Sequence, residues 1–150
     1  MSGKHIIVLD DSAMIIEIIT IFLQNFCERN NVMFHTTSTS MEALGKIQAT
    51  TGQIALITDF ELKGEDSLDL IQTTKEKWPE TFVILMTGYF NNKNSRLKKA
   101  QQLIDNTIKK PFKSSAIQYL MQQYFQCSQG VFSNKKEIPQ KIFPMSGRMT

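Results

Sequence analysis

Hydrophobic and polar positions fall in blocks along this chain. Ile6–Leu9, Val32–Thr36, Ile54–Thr58, Phe82–Met86 and Thr107–Lys109 are short runs dominated by aliphatic and β-branched residues. They lack the polar alternation of a half-exposed strand, so they read as strands covered on both faces, as in a parallel sheet. Between them the apolar positions take helical spacing. Ser12 is an N-cap candidate for a helix over Ala13–Cys27, and Ser40 for one through about Gln48, with Met41, Leu44 and Ile47 on one face. Asp66 opens a helix through about Trp78, with Leu68, Leu70 and Ile71 inward and Pro79 just beyond its end. Asn94–Ile104 is a weaker, basic helix, and Ser114 or Ser115 caps a last helix to about Gln126. Five βα units predict an α/β fold around a doubly wound parallel sheet. From Ser128 onward there is no helical period, and prolines and glycines break the chain. The expected division is a folded domain over 1–126 and an irregular tail over 127–150.

Charge sharpens that division. Residues 1–126 carry 13 Lys and Arg against 13 Asp and Glu, so the net +3 resides wholly in the tail, with Lys135, Lys136, Lys141 and Arg148 against Glu137. The basic balance therefore describes a terminus and gives no reason to expect direct DNA binding by the body. The run Lys93, Arg96, Lys98, Lys99 reads as a solvated helix face. The apolar residues scattered among the tail's lysines, such as Phe132 and Ile142, leave open a segment that docks on the body or on a partner. The 150 residues, 41% of them hydrophobic, suffice for one core. No apolar run reaches membrane-spanning length, and MSGKHIIVLDD has no export signal, so the cytoplasm is expected. Cys27 and Cys127 match no metal spacing and read as free thiols, and His5 and His35 read as structural.

The chemistry gathers where strands end. Asp10 and Asp11 close the first strand, Asp59 the third, Thr87 the fourth and Lys110 the fifth. In a doubly wound sheet, ligands sit beyond the carboxyl ends of the strands, so these five side chains converge on one rim. Adjacent carboxylates repel and are costly to take out of water. An Asp-Asp pair alone is often a helix cap with a solvated neighbour, but three carboxylates at one rim suit a hard divalent cation. Magnesium fits, because it accepts few carboxylates and keeps waters. Asp59, alone on its strand end, is the candidate nucleophile toward a phosphoryl group, with Asp10 and Asp11 as metal holders. Lys110 and the Thr87 hydroxyl would neutralise and bond the phosphoryl oxygens.

The segments LDDS, ITDFELKG, ILMTG and KKPF, in that order, resemble a response-regulator receiver domain of two-component signalling, over about residues 4–126. The resemblance implies a flavodoxin-like doubly wound sheet of five parallel strands, order 2-1-3-4-5. It implies phosphoryl transfer to Asp59 from a histidine kinase or phosphotransfer protein. Asp11 and Asp59 would ligate magnesium with the backbone carbonyl of Glu61, and Asp10 would assist. Thr87 and Lys110 would engage the phosphoryl group, and a downstream protein would read the change, with a homodimer among the arrangements the family uses. No catalysis beyond self-phosphorylation and dephosphorylation is expected. With only about twenty residues after the domain, the chain reads as a stand-alone receiver.

Several positions depart from the family's pattern. Lys63 stands where proline is usual and Ser67 where glycine is usual. Thr107 replaces the Tyr or Phe whose inward swing reports phosphorylation, which leaves Tyr89 or Phe90 to take that part or the output to differ. Glu61 adds a negative charge near the phosphoryl group. Two other functions compete: a binding module of the same fold with no phosphate cycle, and a phosphatase working through an aspartyl-phosphate. The phosphatase would want Asp-x-Asp, and Asp59-Phe60-Glu61 offers a glutamate instead.

Overall fold

Ile6, Ile7, Val8 and Leu9 are each fully buried in a computed structural model of the chain, which describes residues 3–88 and 93–126. They lie in β1 (Gly3–Leu9), followed by α1 (Ala13–Asn30), β2 (Val32–Thr37), α2 (Ser40–Ala49) and β3 (Gly52–Asp59). Two short strands come next, β4 (Glu61–Leu62) and β5 (Glu65–Asp66), then α3 (Leu68–Lys77), β6 (Phe82–Thr87), α4 (Ser95–Leu103), β7 (Asn106–Lys109) and α5 (Ser114–Gln126). The five sheet strands run parallel in the order β2-β1-β3-β6-β7. Strands β4 and β5 pair only with each other, as an antiparallel hairpin. With that hairpin set aside, the order is the expected 2-1-3-4-5.

Burial on both faces explains the missing polar alternation. Ile6 and Val8 pack with Ile19, Leu23, Ile117 and Phe125 on the side of α1 and α5. Ile7 and Leu9 pack with Ala43, Ile47, Ile71 and Leu97 on the side of α2, α3 and α4. The central strands β1, β3 and β6 thus feed two cores, whereas the edge strands β2 and β7, expected from sequence to be covered on both faces, are partly exposed, with Met33 at 58%.

The helix ends show where local chemistry overrode the expected boundaries. Ser12 caps α1 as anticipated, its Oγ accepting from the Ile15 N–H at 3.3 Å. The helix then runs a turn past Cys27 and stops where Asn31 turns left-handed, at φ 56°, and returns its N–H to the Cys27 carbonyl. Helix α2 is capped by Thr39 rather than Ser40. The Thr39 Oγ1 accepts from the Glu42 N–H at 3.1 Å, while the Glu42 carboxylate takes the Ser38 N–H at 2.8 Å. This is the Thr-x-x-Glu box, one residue earlier than read.

His5 and His35 face each other on neighbouring strands with Nδ1 and Nε2 3.1 Å apart, one ring N–H donating to the other's bare nitrogen. Cys27 is a buried free cysteine whose thiol is pushed up to about 11, first by burial and then by Glu28. Tyr89, Phe90, Cys127 and the tail over 127–150 lie outside the described residues. Among the described residues, no helix is long and apolar enough to cross a membrane.

Gly52 starts β3 at φ +112°, and a Cβ there would stand 2.2 Å from the Gly3 carbonyl oxygen across the β1–β3 pair. Both the conformation and the close approach demand glycine. Gly52→Ala is expected to lower unfolding free energy by about 1–3 kcal/mol, read by urea denaturation, because the first rungs of the central strand pair must part.

Candidate functional site

The carboxyl edge of the sheet brings the separated carboxylates together. Asp10 follows β1, Asp11 opens the turn into α1, and Asp59 ends β3. Carboxylate oxygens of the three lie within 4.8 Å of one another. Asp10 is 1% exposed and Asp59 9% exposed, so burial strengthens their mutual repulsion. Each has a local reason for its orientation. Asp10 Oδ1 accepts the Ser12 N–H at 2.9 Å, and its backbone N–H donates to the Thr37 carbonyl at 3.2 Å. Asp11 Oδ2 accepts the Lys63 N–H at 2.7 Å, which ties the first turn to the hairpin.

Lys110, following β7, reaches into this group. Its Nζ lies 3.4 Å from Asp10 Oδ2 and 3.2 Å from Asp59 Oδ1. The Lys110 N–H donates to the Thr87 carbonyl at 2.8 Å, fixing the lysine's backbone beside the end of β6. The peptide bond between Lys110 and Pro111 is cis. One ammonium does not neutralise three carboxylates. Burial and the charge of Asp10 push the Asp59 carboxyl up to about 6, against the opposing pull of Lys110. Desolvation and like charge therefore outweigh the ion pair, and a further cation would relieve both.

A cleft of about 180 Å³ opens over Asp59, lined by Phe60, Glu61, Thr87, Gly88, Asn94, Leu97 and Lys110. Cavities that hold organic ligands usually run from about 300 Å³ upward, so this one suits a small tetrahedral group. The donor set fits magnesium: hard carboxylate oxygens on one side, open space for waters on the other. All six residues singled out from sequence thus border one region. Asp10, Asp11 and Asp59 form the carboxylate group, Lys110 bridges two of them, and Thr87 and Glu61 line the cleft beside Asp59.

Two participants escaped the sequence reading. Asn94 lines the cleft while its Oδ1 caps α4 by accepting the Leu97 N–H at 2.9 Å. The signal was available, since Asn three residues before a buried leucine is an N-cap pattern. The second is the β4–β5 hairpin, with Gly64 at φ +74° in its turn. Two-residue strands are too short for any period to reveal.

The receiver-domain model of the response regulators matches residues 6–122. A signal receiver domain of an HD domain-containing protein from Pseudomonas fluorescens Pf-5 superposes with a TM-score of 0.71 at 18% identity, covering 85% of this chain and 98% of that one. A CheY-like receiver domain protein from Methanospirillum hungatei JF-1 gives 0.70 at 20% identity, over 85% and 98%. The response regulator TrrA from Thermotoga maritima, solved in complex with Mg(2+)-BeF, gives 0.67 at 23% identity, over 81% and 98%. These likenesses show the fold. No curated protein matches the chain significantly.

Proposed function

The chain belongs to the response regulator receiver domain family, and from that membership we propose that it accepts a phosphoryl group on Asp59 from a histidine kinase or phosphotransfer protein and signals through a downstream protein. The observation that carries this reading is the placement of Lys110 between Asp10 and Asp59, in a group of three carboxylates within 4.8 Å.

Asp59 acts as the nucleophile. One carboxylate oxygen attacks phosphorus, the P–O bond forms as the donor's P–N bond breaks, and the electron pair leaves on the imidazole. Asp59 must be ionised to do so, and at neutral pH a carboxyl near 6 is mostly ionised. Lys110 already touches the attacking group at 3.2 Å, so its ammonium is in place to follow charge onto the phosphoryl oxygens. The Thr87 hydroxyl, at the wall of the same cleft, donates to one of those oxygens. Asp10, Asp11, Asp59 and the Glu61 backbone carbonyl would hold Mg²⁺. When bound, the ion supplies positive charge to the phosphoryl oxygens and cancels the repulsion among the carboxylates. Glu61, exposed at the rim, repels anions, which lowers the rate of entry for an anionic donor and also disfavours hydroxide.

The receiver domain is read as spanning 1–126 and working in the cytoplasm. Incubation with acetyl phosphate and Mg²⁺ is expected to add the mass of one phosphoryl group, detected on the intact protein, and EDTA is expected to prevent it. No adduct on the Mg²⁺-loaded protein refutes the reading.

Thr107 favours a second reading of the output. It is exposed, and its N–H bonds the neighbouring Asn106 Oδ1 at 3.0 Å, so no ring at this position swings inward. A module whose partner binding ignores phosphate would have equal partner affinity with and without beryllofluoride, whereas the switch reading requires a difference.

A further inference from the structure

The β4–β5 hairpin is too short to hold itself together, because a two-stranded ribbon needs external packing to persist in water. Its conformation is set by what grips it. Leu62 is buried in the core beneath. The Lys63 N–H donates to Asp11 Oδ2 at 2.7 Å on the side of the carboxylates. Glu65 Oε2 accepts the Ser40 N–H at 3.2 Å. On the far side, Arg96 closes a two-pronged clamp on Asp66, with Nε to Oδ2 at 2.7 Å and Nη2 to Oδ1 at 2.8 Å. The same Nη2 reaches Asp69 Oδ1 at 3.4 Å. Asp66 Oδ1 also accepts the Leu68 N–H at 3.1 Å, so the clamped carboxylate starts α3 as well.

The position of Arg96 is not one its own helix favours. It lies in the first turn of α4, which contains no acidic residue, and the helix dipole opposes a cation there. The compensation comes from another element. A guanidinium fork meeting both oxygens of one carboxylate is the strongest common form of surface ion pair, and an ammonium cannot reproduce it. Read as part of a solvated basic face, Arg96 is instead bonded to the segment beside the site.

We propose that Arg96 is a positioning residue for the cation site: by clamping Asp66 it fixes the hairpin that holds Asp11, and so couples cation loading to the start of α4. The inference rests on the reading of the carboxylate group as a Mg²⁺ site. A cation that draws on Asp11 alters the acceptor of the Lys63 N–H, which shifts the hairpin's preferred position. The clamp passes that preference to α4, whose cap residue Asn94 borders the same cleft. On this proposal the clamped position is the one in which Asp11 meets the cation, so by linkage cation loading tightens the clamp by the same factor that the clamp adds to cation affinity. This route needs no aromatic ring at position 107.

The experiment uses the full chain. Mg²⁺ affinity is measured by calorimetry, and backbone amide exchange of residues 61–66 is measured in the metal-free protein. Arg96→Ala is expected to weaken Mg²⁺ by about threefold to fivefold, the scale of one well-formed, half-exposed ion pair. Hairpin exchange should accelerate by a similar factor, while β1 and β3 amides keep their protection. Arg96→Lys should show most of the loss, because it keeps the charge without the fork. The charge-reversed pair Arg96→Asp with Asp66→Arg should recover much of it. Lys99→Ala, which removes a charge from the same helix, should match wild type. The proposal is overturned if Arg96→Ala leaves Mg²⁺ affinity and hairpin exchange at wild-type values, or if Lys99→Ala weakens Mg²⁺ equally. Absence of Mg²⁺ uptake by the wild type overturns the cation reading itself; hairpin exchange, read without metal, then decides the clamp separately.

Discussion

Asp59→Asn is expected to abolish phosphoryl uptake outright and, in the metal-free protein at pH 7, to raise stability. The first effect follows from chemistry: the amide has no anionic oxygen to attack phosphorus, and Asp10 and Asp11 are bonded to the Ser12 and Lys63 N–H groups. The second follows from electrostatics. The Asp59 carboxyl, ordinarily near 3.8, is raised to about 6 in the folded chain, chiefly by burial and then by Asp10. A carboxyl raised on folding binds its proton more tightly in the native state than in the unfolded one. Its penalty is therefore absent below pH 3.8, grows as pH rises through that window, and is complete above about 6. Because the site opens to solvent through the cleft, the penalty at pH 7 is about 1–2 kcal/mol, less than the full shift implies. The neutral amide removes it, which raises the melting temperature by a few degrees. Below pH 4 wild type and variant should converge. With Mg²⁺ the difference should shrink at pH 7, because the cation relieves the wild-type repulsion. Thermal melts at pH 4 and 7, with and without Mg²⁺, check both signs, and a variant that melts below wild type at pH 7 in EDTA contradicts the account.

Most of the architecture was written in residue patterns that act locally. The strand runs Ile6–Leu9, Ile54–Thr58 and Phe82–Met86 announced two-sided burial, and the terminal polar residues announced the rim. What stayed hidden depends on partners distant in sequence. Arg96 looked like one of several solvated cations, because its meaning lies in Asp66, thirty positions earlier. Lys63 looked only like a departure from a family pattern, yet it contributes a backbone N–H, a group every residue but proline carries. That substitution has a physical consequence, since a proline there could not donate to Asp11. Asp66 was read as the start of α3, and it does accept from the Leu68 N–H, but its other oxygen serves α4. Asp10, Asp11, Asp59, Thr87 and Lys110 were legible because each lies at the carboxyl end of a sheet strand, whereas Glu61, first in β4, came only from the resemblance. The support of the site was not legible, because hairpins and clamps have no period.

Lys110→Met is expected to injure the fold and the chemistry together, in a manner that pH and metal dissect. In the metal-free protein Lys110 is the ammonium within 3.4 Å of Asp10 and 3.2 Å of Asp59, and it is itself 22% exposed. Removing it leaves two buried like charges facing one another. Breaking a fully buried pair costs about 3–5 kcal/mol, and partial exposure of the lysine reduces this to about 2 kcal/mol at pH 7. Loss of Lys110 removes a force that lowers the Asp59 carboxyl, so that group moves further up. By the same sign argument, the variant's deficit is greatest at neutral pH and shrinks at pH 5, where Asp59 takes a proton and the repulsion vanishes. Mg²⁺ should restore much of the lost stability, because a divalent cation replaces the missing ammonium. It should not restore chemistry, since loss of one donor to the developing charge slows transfer by about 100-fold. Urea unfolding at pH 5 and 7, with EDTA or Mg²⁺, reads the first part, and the rate of phosphoryl uptake reads the second. Adding Asp59→Asn separates the two ion pairs. With Asp59 neutral, Lys110 answers only Asp10, whose Oδ1 already holds the Ser12 N–H. The stability cost of Lys110→Met should then fall well below its value in the wild-type background. An undiminished cost would place the lysine's structural role on Asp10 alone and remove the electrostatic case for Asp59 as the strained, reactive carboxylate.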